Sequence, residues 1–216
     1  MDLNPVIVDA EGAIAVDARV VIDAPPPASG GRYAHLAILP YPSHFTQDAP
    51  LPDGRHYLIR AIRPDDSARL QDFVRGLSEQ SRYFRYVSTQ KELGQAALAR
   101  YTLTDYHREF ALVATLEGGS ATAGESIIGV ARYMLNPDGE SCEFALVIAD
   151  AWQGRGLGTR LMNVLLDVAR SNGLKTMQGY VLAQNTGMLR LMSKLGFASE
   201  PVTDDPTLRL MARALI

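Results

Sequence analysis

The sequence lacks the features that mark disulfide-bonded, membrane-spanning and metal-binding proteins. It has one cysteine, Cys142, so no disulfide forms within the chain, and such a chain suits a reducing compartment. No apolar run is long enough to cross a bilayer, and the start of the chain has no basic-then-apolar signal segment. The four histidines show no metal-ligand spacing. We therefore expect a cytoplasmic protein with no bound metal and no membrane partner.

An excess of positive charge is also missing. The chain has 21 Lys and Arg against 24 Asp and Glu, which gives a formal net charge of −3 at pH 7. A nucleic-acid binder needs clustered basic residues to neutralise phosphates, so we expect no nucleic-acid partner. Hydrophobic residues make up 47% of the 216 residues, which is enough for a sizeable core. This length allows one domain and an appendage.

Two regions of different texture divide the chain. Residues 6–22 contain two β-branched runs around the turn-like DAEG, which predicts a β-hairpin. The segment APPPASGG at 24–31 predicts a linker, because its Pro, Ser and Gly do not sustain regular structure. From residue 56 the patterns predict the order β-α-α-β-β-β-α-β-α-β. This order indicates an α/β domain over 56–216, with a mixed sheet and helices on both faces.

The segment DAWQGRGLGTRL at 150–161 joins a strand-like apolar run to an amphipathic, helix-like run. Its glycines allow tight turns, and the free N–H groups at a helix N-terminus attract an anion. A P-loop would end in Gly-Lys-Ser/Thr, and the dinucleotide-binding fingerprint needs a glycine where Thr159 stands, so neither pattern fits. A tight turn without a ligand is the alternative.

Residues 153–158, QGRGLG, follow the Q/R-x-x-G-x-G/A pattern of the GNAT acetyltransferase superfamily, which the chain resembles over about 56–216. A strand that carries Glu143 precedes this pattern, and MLRLMSKLGF at 188–197 is similar to the closing helix and Leu-Gly-Phe turn of the family. The resemblance implies the GNAT fold, with a mixed, mostly antiparallel sheet and a splay between its fourth and fifth strands. It also implies acetyl-CoA as co-substrate.

The resemblance also implies the residues of a coenzyme site. In the family, the glycine loop holds the pyrophosphate of acetyl-CoA, and the pantetheine arm lies in the splay like an extra strand. Carried over residue by residue, backbone groups of the strand and an asparagine side chain would hold the arm. The predicted site comprises Leu146, Val147, Ile148, Gln153, Gly154, Arg155, Gly156, Leu157, Gly158, Thr159 and Asn185.

Glu143 is the predicted catalytic residue. Acetylation of an amine needs a deprotonated nitrogen, and because a lysine amine has a pKa of about 10.4 a nearby carboxylate has to remove its proton. The apolar strand CEFALVI predicts that burial raises the pKa of Glu143, and alternation directs this side chain away from Cys142. In the family, a glutamate at this strand position is the general base. A solvated residue of a half-buried strand is the alternative.

The general acid and the acceptor site are less defined by the sequence. Many relatives place a tyrosine, the proton donor to the leaving thiolate, where this chain has Met192, so either water or Tyr180 would supply that proton. SRYFRY at 81–86 follows the first predicted helix, where the family binds its acceptor. Its tyrosines and arginines suit a protein surface, and ordinary packing with solvated arginines is the alternative.

Residues 2–20 resemble the tail of the ATP-grasp domain of NDP-forming acyl-CoA synthetases. Asn4 and Asp17 match residues that approach a metal–nucleotide site in that family. We interpret 1–44 as a remnant of such a domain with a linker, cut from a longer protein. A generic hairpin is the alternative reading. A synthetase-like region followed by a GNAT domain is the arrangement of bacterial protein lysine acetyltransferases, which this chain resembles.

The resulting hypothesis is a protein Nε-lysine acetyltransferase that transfers acetyl directly from acetyl-CoA. The resemblance implies an AMP-forming acyl-CoA synthetase as the protein acceptor. Two other functions stay open from the sequence. An acetyltransferase for a small amine would have a deep, closed acceptor pocket, whereas a non-catalytic acyl-CoA sensor would have no need of Glu143.

Overall fold

The computed structural model of the protein describes residues 2–3, 5–10, 12–19, 39–51, 55–87, 90–117 and 124–215. The chain divides into two compact units, residues 1–36 and residues 37–216.

In the first unit, the described residues form two short antiparallel strand pairs. Strand β2 (Val6–Val8) pairs with β3 (Ala13–Ala15), which confirms a hairpin in this region. Strand β1 (Asp2–Leu3) pairs with β4 (Ala18–Arg19). All side chains of β2 and β3 are exposed, because two strands of three residues cannot enclose an apolar core.

The second unit is built on one twisted sheet of eight strands in the order β11-β12-β10-β9-β8-β7-β6-β5. Among the strand pairs of the described residues, only β9–β10 is parallel, which confirms the predicted mixed, mostly antiparallel sheet. The strands are β5 (Gln47–Pro50), β6 (His56–Ala61), β7 (Glu109–Glu117), β8 (Glu125–Leu135), β9 (Ser141–Ile148), β10 (Thr176–Leu182), β11 (Ala198–Val202) and β12 (Asp205–Ala214).

Helices lie on both faces of this sheet, as predicted. On one face, apolar side chains of the first helices pack on β7, β8 and β9; on the other, the long fourth helix buries its apolar stripe against the same strands. The described residues form five α-helices: α1 (Ser67–Gly76), α2 (Glu79–Tyr86), α3 (Gln95–Thr102), α4 (Leu157–Ser171) and α5 (Thr186–Lys194).

Alternation along the strands supplies both cores. On β9, Leu146 and Ile148 pack with α4, whereas Val147 packs with the residues under α1 and α3. Strands that are buried on both faces read as continuous apolar runs, which is why EFALVATL and SIIGVARYML were recognisable as strands.

Among the α-helices and strands of the second unit, three were not predicted from the sequence. Helix α2 spans most of SRYFRY, whose arginines and aromatic residues give no clear apolar period. Strands β5 and β11 are the two edges of the sheet, and their segments QDAP and ASEPV contain a proline and polar residues, which edge strands tolerate. Because β5 pairs with β6, the sheet begins before the expected start at residue 56.

A buried ion cluster joins β6 to the start of α1 and to β8. Arg60 has no exposed surface; it donates to both carboxylate oxygens of Asp66 (2.7 and 2.8 Å) and to Glu125 Oε2 (2.6 Å). Burial by itself would raise the pKa of Asp66, but the hydrogen bonds from Arg60 and from the Arg63 N–H outweigh it and lower that pKa. The cluster therefore stabilises the fold only while both signs of charge are present.

We expect Arg60→Met to lower the free energy of unfolding by about 3 kcal/mol, the lower end of the range for a broken buried pair. The buried Asp66 loses both hydrogen bonds from this guanidinium but keeps those from Arg69 and from the Arg63 N–H. Urea denaturation measures this loss, and removing both charges in Arg60→Met/Asp66→Leu should restore much of it. Arg75→Met, which removes an exposed guanidinium paired with Asp72 and Glu92, is the control and should show no measurable loss. Equal stability of the two single variants would contradict the expectation.

Candidate active site

Strands β9 and β10 pair over only three residues and then separate. The paired positions end at Glu143 and Gln178, although β9 continues to Ile148 and β10 to Leu182. The opening between the two strands beyond Glu143 is called the gap below. It is the splay that the resemblance implied.

The register with β8 decides which backbone groups of β9 face the gap. The Ala149 N–H donates to the Ile128 C=O (3.0 Å), so the odd-numbered residues of β9 exchange hydrogen bonds with β8. The backbone groups of Leu146 and Ile148 therefore point into the gap, whereas those of Val147 bond to β8. Of the three residues predicted to bind the pantetheine arm through their backbone, the register therefore favours Leu146 and Ile148 over Val147.

A close contact lies at the point where the strands part. Phe144 and Gly179 are the first residues of β9 and β10 beyond the paired positions. A Cβ at Gly179 would stand 2.7 Å from the Phe144 ring, which also packs edge-on against Phe197 with 5.2 Å between ring centroids. No side chain larger than hydrogen fits at position 179 unless that ring moves.

Residues 153–159, called the glycine loop, follow β9 and include the first turn of α4, and their glycines serve two purposes. Gly154 and Gly156 have φ of +72° and +84°, a left-handed conformation that L side chains rarely adopt, and a Cβ at either would meet nothing within 4 Å. At Gly158 the reason is packing, because a Cβ would stand 3.1 Å from Leu191 Cδ2 on α5. The first two glycines shape the loop, and the third lets α4 approach α5.

The N-terminus of α4 is built to accept an anion. No side chain among the described residues caps it, so the N–H groups of Leu157, Gly158 and Thr159 have no helical or side-chain partner. Arg155, a residue of the glycine loop, has its guanidinium Cζ 5.3 Å from the centre of the Trp152 ring. Free N–H groups, the helix dipole and this arginine together favour a negatively charged ligand.

Two side chains fasten α2 to the glycine loop. Asp150 accepts hydrogen bonds from the N–H and the Oγ of Ser78 (2.8 and 2.6 Å) and from Ser81 Oγ (2.7 Å). Gln153 Nε2 donates to Ser81 Oγ (3.1 Å) and to the Ile148 C=O (3.0 Å). Burial by itself would raise the pKa of Asp150, but the hydrogen bonds from Ser78 outweigh it and lower that pKa. Sequence reasoning missed Ser78, Ser81 and Asp150, although a serine before a polar run is a signal for a helix cap.

Glu143 stands where the gap opens, and its side chain is exposed. The predicted burial of Glu143 is therefore wrong. The reason is tertiary: on this face of the second unit, Gln178 and Tyr180 of β10 are also solvent-accessible, and Tyr180 is 55% exposed. Alternation does hold, because Cys142 on the opposite face is fully buried, and burial raises the pKa of its thiol to about 12. Cys142 is thus no nucleophile.

Asn185 and Met192 belong to α5, which follows β10. Asn185 Oδ1 caps the helix by accepting from the Met188 N–H (3.1 Å), and its Nδ2 has no partner among the described residues. Met192 has no exposed surface, so the position where many relatives carry tyrosine presents no group to the gap. The structure thus places Leu146 and Ile148 along the gap and Glu143 at its closed end, where β9 and β10 part.

The residues of SRYFRY, predicted to lie on the acceptor side, differ in their exposure. Arg82 is buried and donates to the Leu77 C=O, so it is not the solvated arginine that the packing alternative assumed. Tyr83 is 37% exposed, and Tyr86 is partly buried under α2. The aromatic residues of SRYFRY therefore divide between surface and core.

The N-terminal predictions are only partly within the described residues. Asn4 lies outside them, and Asp17 is exposed. In the described ranges, no group of three or more potential metal ligands occurs. None of the helices in those ranges is long and apolar enough to span a membrane.

Comparison with known proteins relates this geometry to a family. Residues 56–198 match the family described as acetyltransferase (GNAT) domain. The chain is 39% identical to acetyltransferase PA5475 of Pseudomonas aeruginosa over 158 residues, which are 73% of this chain and 83% of that protein. It is 28% identical to acetyltransferase Pat of Mycolicibacterium smegmatis over 219 aligned positions, covering 91% of this chain and 64% of that protein.

Solved structures share the fold. The GNAT domain of S. lividans PAT superposes with a TM-score of 0.72 at 26% identity, covering 81% of this chain and 99% of that domain. YncA from Salmonella typhimurium, solved with its cofactor acetyl-CoA, superposes with a TM-score of 0.57 at 23% identity, covering 74% of this chain and 94% of that one.

Asp150→Asn should loosen the attachment of α2 to the glycine loop. We expect the free energy of unfolding at pH 7 to fall by about 1 kcal/mol, a value reduced for the solvent exposure of the carboxylate. Because the folded protein lowers the pKa of Asp150, its contribution is present above the ordinary value of 3.8 and is lost as the pH falls through the folded value.

Urea denaturation at pH 7 and at about pH 3 measures this dependence. The control is Asp167→Asn, which removes an exposed pair with Arg170 and should change neither curve. If the difference in the free energy of unfolding between wild type and Asp150→Asn is as large at about pH 3 as at pH 7, the assignment is contradicted.

Proposed function

The chain belongs to the GNAT acetyltransferase family of acetyl-CoA-dependent acyltransferases, and on that basis we propose that it is a protein Nε-lysine acetyltransferase. One observation carries the choice of acceptor. Glu143, the carboxylate at the closed end of the gap, is exposed on an open part of the sheet face rather than enclosed in a pocket. An open surface suits a lysine presented by a folded protein, whereas a small amine needs an enclosing pocket for affinity.

The residues of the second unit fit acetyl-CoA. The gap offers the backbone groups of Leu146 and Ile148 to an extended arm, in the manner of strand addition. The uncapped N-terminus of α4, with the open left-handed turns at Gly154 and Gly156, suits the diphosphate. Bound there, acetyl-CoA supplies the activated acetyl group. These sites need no metal, and the fold neighbour solved with acetyl-CoA is consistent with this assignment.

Glu143 is proposed as the base of the reaction. Its carboxylate accepts a proton from the lysine ammonium of the acceptor, either directly or through a water molecule. The neutral nitrogen then forms the bond to the acetyl carbon while the bond from carbon to sulfur breaks, and the nitrogen gives its second proton to water as the amide forms. The thiolate takes up a proton to give the free thiol. Met192 is apolar and buried, so water or the exposed Tyr180 supplies that proton.

The finer proposals concern the acceptor and the compartment. We propose an AMP-forming acyl-CoA synthetase as the protein acceptor, supported by the similarity to acetyltransferase Pat and to the GNAT domain of S. lividans PAT. We place the reaction in the cytoplasm, because a chain with one buried cysteine suits a reducing compartment.

Glu143→Gln tests the proposed base. We expect the turnover of thiol release from acetyl-CoA, with a candidate AMP-forming synthetase as acceptor, to fall by about 10²–10⁴-fold, because the amide accepts no proton. The affinity for acetyl-CoA should stay unchanged. Glu140→Gln is the matched control, since Glu140 lies in the preceding turn beside Lys175 and should leave turnover unchanged.

Equal turnover in wild type and Glu143→Gln would refute the assignment of the base. Thiol release with a panel of small amines but with no protein would instead establish the small-molecule alternative. An intact Glu143 is required for either reaction, so the variant separates the chemistry from the choice of acceptor.

Gly156→Ala tests the diphosphate site. At φ of +84° an alanine should lower the free energy of unfolding by about 1–2 kcal/mol, and its methyl group, beside the free N–H groups of α4, should weaken acetyl-CoA binding by about tenfold. Gly173→Ala is the matched control: it lies at the other end of α4, has φ of +76° and equally open space. It should cost similar stability and leave the dissociation constant from titration calorimetry unchanged. Equal affinities of the two variants for acetyl-CoA would contradict the proposal that the glycine loop binds the diphosphate.

A further inference from the structure

Arg132 projects from the same face of the sheet as Glu143. On β8 it stands opposite Ala145 of β9, whereas Glu143 stands opposite Met134. Arg132 and Glu143 are therefore diagonal neighbours across the β8–β9 pair, which are typically about 7–8 Å apart and within reach of one bound chain.

The Arg132 guanidinium is buried without a carboxylate. The residue is 8% exposed, its Cζ lies 4.6 Å from the centre of the Tyr101 ring, and it donates to the Tyr101 C=O (3.1 Å). Within the described ranges no carboxylate oxygen is at ion-pair distance from it, although Glu109 on β7 adds attraction from farther away. Burial, and secondly the charge of Arg85, lower the pKa of Arg132 to about 10.

A second cation completes this group. The Arg85 Cζ lies 4.8 Å from the centre of the Tyr86 ring, and the rings of Tyr86 and Tyr101 are 6.4 Å apart. Arg85, Tyr86, Tyr101 and Arg132, here called the arginine–tyrosine cluster, thus place two guanidinium groups near each other with aromatic rings between them. Burial normally selects against such an arrangement, because like charges repel and lose their hydration.

Arg60 in the same molecule shows what a purely structural buried arginine looks like. It is fully buried, and two carboxylates, Asp66 and Glu125, are hydrogen-bonded to it. Arg132 has a ring and one carbonyl instead. An anion from outside the chain would compensate the charges of Arg132 and Arg85, and guanidinium groups bind carboxylates well.

We propose that the arginine–tyrosine cluster binds a carboxylate of the acceptor, a few residues from the lysine that reaches Glu143. This inference rests on the proposed function, because it places the acceptor amine at Glu143. The cluster would favour acceptors with an acidic residue near the lysine. It would hold the acceptor's polypeptide on the open face of the sheet while Glu143 takes the proton from the lysine ammonium. It is a specificity determinant, and Glu143 keeps its role without it.

Peptide binding tests this proposal independently of turnover. The probes are pairs of labelled peptides with a central lysine. In each pair one position, two to four residues before or after the lysine, is Asp in one peptide and Asn in the other. One further peptide ends in a free carboxylate. Fluorescence anisotropy with the Glu143→Gln protein gives their dissociation constants. We expect one Asp position to bind about tenfold more tightly than its Asn counterpart, as a charged hydrogen-bonded pair does. Preference for the terminal carboxylate instead identifies that source of the same anion.

Two variants and one control complete the experiment. Arg132→Met and the less buried Arg85→Met should each bind the Asp and the Asn peptide equally, with the Asn affinity within about twofold of the parent. Arg100 precedes Tyr101 on α3 and contacts Met134 Sδ, and Arg100→Met should keep the preference. The thermal midpoint and the affinity for acetyl-CoA verify that each variant is folded.

The outcomes separate this inference from the proposed function. Equal binding of Asp and Asn peptides at every position, or a preference that persists in both variants, overturns the role of the cluster. A preference that depends on Arg132, combined with no acetylation of any lysine by the wild type, supports the cluster and contradicts the proposed function alone.

Discussion

The separation of β9 from β10 after three paired residues is the constraint on which the site depends. Backbone N–H and C=O groups inside a sheet normally pair with the next strand, so strands that part leave two rows of groups facing each other across a gap. The outer ladders, β8 with β9 and β10 with β12, hold both strands in place. Phe144 against Gly179 fills the space at the parting point, and the glycine loop follows the other end of β9.

Much of the fold was predictable because burial imposes a period on the sequence. The apolar spacing of α4 and the continuous apolar runs of β7, β8 and β9 reflect contacts on defined faces. Helix α2 escaped prediction because its position depends on the Ser78 cap and on Asp150, residues far from each other in sequence. The edge strands escaped because they need few apolar residues.

Features of the site that depend on neighbouring residues in the sequence were predictable, whereas features that depend on contacts between distant segments were not. The glycine loop was recognisable from the spacing of its glycines, because the left-handed turns at Gly154 and Gly156 require glycine. The face of Glu143 followed from alternation, but its exposure depended on how far the helices extend over β10. Nothing in GVARY distinguishes Arg132 from Arg60 in HYLIRA, because the carboxylates that pair with Arg60 lie on two distant segments.

The gap has a consequence for the state of the protein in solution. Along its two inner edges the backbone groups of β9 and β10 do not pair with each other, and a ligand held there behaves as an additional strand that completes the sheet. Any molecule that binds the folded chain and not the unfolded chain shifts the folding equilibrium by mass action. Supply of the thioester would then set how much of the protein survives heating or proteolysis, so that its abundance, as well as its rate, follows the metabolic state of the cell.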